Sequence, residues 1–152
     1  GRLKRPYSMS TTTMQAQAQE TIAESVLKNT LLLIEALKDN YRQYSIRGHQ
    51  RSVERFDATP GYHQQKIDEL KSGKCDIDYQ VETGKKYHKV IFVDGGGSRS
   101  VHCFVDKQTG EVYKSATWKS PAKGVRYDLR LIKDREYLLE NADWSGGYLY
   151  AK

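Results

Sequence analysis

The chain has 152 residues, of which 38% are hydrophobic and 29% charged, a balance that suits one globular core with an accessory element. No run approaches the ~18 consecutive apolar residues of a membrane-spanning helix, so a membrane partner is excluded from the reading. The formal charge of +6 invites an anionic partner, and its distribution matters more than its sum.

Residues 1–8, GRLKRPYS, hold Arg2, Lys4 and Arg5 and read as a leader ahead of a natural start at Met9. From Met14 to Tyr44 there is neither proline nor glycine. Ala23, Leu27, Thr30, Ile34, Leu37, Tyr41 and Tyr44 recur at alternating steps of four and three, the spacing of a coiled-coil seam. A second set, Ile22, Val26, Leu33 and Leu37, widens this face. The spacing predicts a long helix over 9–47, ended by Gly48, that either packs on its own domain or pairs with a second subunit through Leu27, Ile34, Leu37 and Tyr41. A homo-oligomer is therefore an expected partner.

Residues 48–59 have no clean period and read as a linker. Thr59 and Pro60 together form a good helix start, and Gly73 a good stop, so a short helix is expected over about 60–72. A compact domain is expected over 60–152.

Beyond IDYQVE, an expected edge strand, the period changes to two. Val90 and Phe92, then Val101, Cys103 and Val105, then Val112, Lys114 and Ala116 mark three strands joined by DGGGS and DKQTGE. With Val101, Cys103 and Val105 inward, His102 and Phe104 point outward. That aromatic face, flanked by Lys89, Arg99 and Lys107, is either a stacking platform or a core surface covered by the long helix. DGGGS is either a flexible turn or a phosphate contact. Ser120 and Pro121 predict a short helix carrying Lys123 and Arg126. DREYLLENA predicts the last helix, and WSGGYLYAK a final strand. The fold class that results is α+β: a long N-terminal helix and a second short helix on a three- to four-stranded antiparallel sheet, with a short C-terminal helix.

Charge follows this division. Residues 9–84 carry nine basic and eleven acidic groups, residues 85–133 eleven basic and four acidic, and residues 134–152 two and four. The positive surplus beyond the leader therefore sits in the sheet segment and the residues directly after it. Lys114, Lys119, Lys123, Arg126 and Arg130 are interleaved with Trp118 and Tyr127, and Arg99 lies in the turn. Cations alternating with rings suit phosphate contact and base stacking. No catalytic, metal or cofactor motif accompanies them: Cys75 and Cys103 have no metal spacing, and His49, His63, His88 and His102 form none of the zinc signatures. Asp76, Asp78 and Glu82 near Lys85 are the one dispersed carboxylate set, and their spacing equally fits the polar face of an edge strand. The leading expectation is DNA or RNA binding. The alternative is a protein-interaction module, a virion or assembly component or an inhibitor of a host protein, that oligomerises through the helix.

At SVHCFVDKQTGEVYKSATWKSPAKGVRYDL, with the closing ADWSGGYLY, the sequence resembles small uncharacterised proteins of tailed bacteriophages, cyanophage-like ones in particular, over about residues 86–150. The resemblance implies a phage origin and action in the cytoplasm of an infected bacterial host, and it carries no catalytic residue. The arrangement of helix, three antiparallel strands and basic helix is similar to double-stranded-RNA-binding domains and to the three-stranded DNA-binding domains of integrases.

Overall fold

A computed structural model describes residues 11–55 and 61–150, with side chains from residue 21 onward. The leader, Thr59 and Pro60 lie outside the described residues. The first helix, α1 (Thr11–Glu54), has 44 residues and is thus roughly 66 Å long. Val26, Thr30, Leu33 and Leu37 are fully buried along it. The apolar stripe therefore faces the chain's own core, and three of the four expected pairing residues, Ile34, Leu37 and Tyr41, pack there. Leu27 is exposed. Thr30 is tolerated because its hydroxyl donates to the Val26 carbonyl at 2.8 Å.

Gly48 does not end α1, which continues into the expected 48–59 linker as far as Glu54. The second helix, α2 (Tyr62–Lys71), lies against this extension, where Ile46 packs with Ile67 and Leu70. His49 and His63 meet there, Nδ1 to Nδ1, at 2.8 Å. This packing outweighs the ~1 kcal/mol that an interior glycine costs a helix. Gly73, at φ 99°, supplies the expected stop to α2.

Five antiparallel strands come next in sequence order: β1 (Asp78–Thr83), β2 (Tyr87–Val93), β3 (Arg99–Asp106), β4 (Glu111–Lys114) and β5 (Tyr127–Asp128). The expected edge strand is β1, whereas β5 adds a strand beyond the expected three or four. Val81, Val90, Cys103, Val105 and Val112 turn to α1 and close the main core. Between β2 and β3 the register slips: Val90 faces Cys103 and Ile91 faces Val101, leaving His102 as the extra residue. A bulge interrupts two-residue alternation. Val101 therefore sides with Ile91 on the outer face, and His102 turns inward, its ring stacked on Tyr148. Both placements reverse the sequence reading.

No helix forms over 120–126. The chain instead makes a hairpin-like excursion, bridging Ser115 to Pro121 and returning as β5. The Ser120 hydroxyl meets the Thr117 hydroxyl at 2.9 Å across this turn instead of capping a helix. The last helix is α3 (Ile132–Asn141), with Leu138 in the core. The expected final strand is a 3₁₀ turn, Gly147–Tyr150, that buries Tyr148 and Leu149. The Tyr127 hydroxyl donates to the Tyr148 carbonyl at 2.8 Å and locks it down. Among the described residues no helix is long and apolar enough to cross a membrane.

Candidate functional site

The face of the sheet away from α1 collects Tyr87, Lys89 and Ile91 from β2, Val101 and Phe104 from β3, and Tyr113 from β4, as their pairing requires. Phe104 is buried, yet not by the long helix. Tyr87 meets it edge-on at 5.6 Å, and the Lys89 ammonium lies 5.9 Å from its centroid. Tyr113 stands opposite it on β4.

Over this face reaches the 115–121 excursion. Its tip is fixed by the Thr117 hydroxyl, which accepts the backbone N–H groups of Lys119 and Ser120 at 3.2 and 3.1 Å. The tip presents Trp118 and Lys119. Trp118 remains 39% exposed, with Lys89 Nζ 4.5 Å and Arg99 Cζ 5.4 Å from its ring centroid. Such cation–ring contacts hold the indole in place while part of it stays accessible. A groove of about 300 Å³ runs beneath, lined by Glu82, Lys85, Lys86, Tyr87, Lys89, Phe104 and Lys119 together with the β1–β2 turn. Glu82 is an acid in this groove. Arg99 bonds it at 2.6 Å and holds its carboxyl below the usual range, so the pair leaves little net charge there. Among the described residues, none of the groove's lysines forms an ion pair.

The predicted site residues do not all converge. Arg99, Trp118 and Lys119 come together on the outer face. Lys114 does not join them, because it pairs with Cys103 on the α1 side and its ammonium lies 4.6 Å from the Tyr150 ring centroid. Lys123 is exposed on the returning loop. Arg126 is a structural clasp: its Nε donates to the Leu149 carbonyl at 2.7 Å and its Nη1 to the Gly124 carbonyl at 2.9 Å. Arg130 sits beside the β3–β4 turn, where its side chain crowds Gly110. Tyr127, expected as a stacking ring, is 1% exposed and belongs to the core.

Sequence reasoning left Lys85, Lys86 and Tyr87 out of the site, and it held Phe104 as either stacking platform or core. The signal was present in KKYHK, where Tyr87 and Lys89 share a strand face at a spacing of two.

DGGGS offers no open anion nest. The Asp94 carboxylate already accepts the N–H groups of Gly96 and Ser98, both at 2.9 Å, so the donors a phosphate would need are taken. The dispersed carboxylates do not converge either. Tyr41 bonds Asp76, Lys38 pairs with Asp78, and Arg99 holds Glu82. Among the described residues no three histidine, cysteine or acidic side chains form a group that could hold a metal ion. Burial pushes the Cys103 thiol up to about 12, which leaves it un-ionised and inert.

A family model described as a family of unknown function, DUF7717, matches residues 9–151. The chain belongs to the DUF7717 family. The match takes in α1 as well as the sheet, so the long helix is as much a part of the DUF7717 unit as the basic face. No curated protein and no solved structure matches the chain.

Proposed function

We propose that the outer sheet face binds single-stranded nucleic acid, with Lys85, Lys86, Lys89 and Lys119 contacting phosphates, Trp118 stacking on a base and Arg99, paired with Glu82, holding the indole in place. One observation carries this reading: an accessible indole held over sheet cations, beside a groove rimmed by lysines whose acid is already paired. Phosphate contacts supply salt-sensitive attraction, and a ring platform supplies sequence-tolerant stacking. The narrow groove suits a strand whose bases are splayed out better than a duplex. The setting we propose, on the resemblance to phage proteins, is the cytoplasm of an infected bacterial host.

The test is fluorescence anisotropy with labelled single-stranded and duplex oligonucleotides, using the chain from Met9 so that Arg2, Lys4 and Arg5 contribute nothing. With about four phosphates neutralised, affinity for a single strand should fall ~50-fold between 50 and 200 mM salt. Trp118→Ala should weaken binding by about 5- to 150-fold, the range of one lost stacking contact. A paired Lys89→Glu and Lys119→Glu change should weaken it uniformly across oligonucleotide sequences. No binding at low salt by the unaltered chain would sink the reading, as would binding that these three changes leave intact.

A further inference from the structure

On the other side of the molecule, a groove of about 680 Å³ runs between α1 and the edge strand β1. Leu27, Leu31 and Leu32 line it from the helix at 38, 48 and 44% exposure, with Tyr79 and Val81 contributed by β1. Three accessible leucines within six helical residues form a contiguous apolar patch of the kind that marks an interaction surface. The patch is continuous with an open sheet edge, since β1 pairs only with β2.

The charges on its rim say what covers it. Along α1 they run Glu24, Lys28, Glu35, Lys38, acidic and basic in strict alternation. A second copy laid parallel and in register would set like against like. Laid antiparallel about Leu31 and Leu32, it sets Lys28 opposite the second copy's Glu35 and Glu24 opposite its Lys38, which also holds Asp78 of its own chain, so every rim position faces the opposite sign while leucine meets leucine. A uniformly acidic or basic partner would leave half of the rim repelled. We propose that two copies of this chain pair through the α1–β1 groove with their α1 helices antiparallel, an isologous two-fold contact. The pairing uses the leucines that the chain's own core leaves out, and it shares no residue with the outer sheet face, so it stands or falls apart from nucleic-acid binding.

Sedimentation equilibrium on the full chain tests it. The expected mass at rising concentration approaches twice the chain's 17.5 kDa. Leu31→Glu, at a position exposed in the single chain, should return the mass to one copy with an unchanged circular dichroism spectrum. Lys28→Glu should weaken the dimer, and adding Glu35→Lys should restore it, a rescue that parallel pairing does not give. A single-copy mass at every concentration overturns the proposal and leaves the groove to a different protein. A dimer indifferent to Leu31→Glu, or a charge reversal that fails to rescue, overturns it equally.

Discussion

Acidification should loosen the core at His102. The β3 bulge turns this ring inward, where it stacks on Tyr148 at 5.6 Å and shares a 2.7 Å hydrogen bond with the Tyr148 hydroxyl. Desolvation lowers its pKa from 6.5 to about 4, against a smaller upward pull from Asp143. Between those two values the unfolded chain binds the proton and the folded chain does not. Stability contributed by the neutral ring is therefore complete above pH 6.5 and is lost as pH falls towards 4. At pH 5 the loss from this residue is about 2 kcal/mol, a large part of a typical domain's margin. Urea denaturation at pH 7 and pH 5, compared with His102→Phe, checks this magnitude. The variant loses its bond to Tyr148 at both pH values, yet its drop between them should be smaller by about 2 kcal/mol. His49 and His88, whose pKa values burial also lowers, continue to contribute in both proteins. An equal drop in variant and parent would refute the argument.

Glycine substitutions should separate backbone cost from crowding. Gly110 and Gly97 both have positive φ, 78° and 88°. A Cβ on Gly97 meets nothing within 4 Å, whereas one on Gly110 meets Arg130 Cγ at 3.1 Å and Val26 Cγ2 at 3.4 Å. Each alanine substitution should cost about 1 kcal/mol for the left-handed backbone, and Gly110→Ala measurably more by thermal denaturation; equal losses would contradict the packing of α1 on the β3–β4 turn. The Tyr79 hydroxyl is buried with no hydrogen-bond partner among the described residues, so Tyr79→Phe should raise stability by about 1 kcal/mol, whereas Tyr148→Phe, which breaks the bond to His102, should lower it by a similar amount.

Local rules were sufficient wherever one residue's own geometry settled the matter. Gly73 and Gly110 end a helix and close a hairpin because left-handed backbone favours glycine wherever it occurs. Alternation located β2 to β4, and uninterrupted helical spacing located α1. Those rules failed where distant groups compete. Gly48 stays helical because α2 packs beside it, and Ser120 spends its hydroxyl on a turn because Ala122 is drawn back to the Lys114 carbonyl at 2.7 Å. Two β5 residues are too few to give a period. The bulge at His102 has no mark in the sequence, and from that point every inward and outward assignment towards Arg99 exchanges.

By itself, then, the sequence determined the class of fold, the order of most elements and the concentration of positive charge between residues 85 and 133. Only the tertiary structure decided which of those charges are neighbours. It placed Trp118 and Lys119 over Lys89, spent Arg126 on backbone carbonyls, buried Tyr127, and left Leu27, Leu31 and Leu32 outside the core. The physical reason is that composition and period constrain one strand or one turn at a time. A binding surface depends on side chains from several elements at once, and the relative placement of those elements is set by packing between segments far apart in the chain.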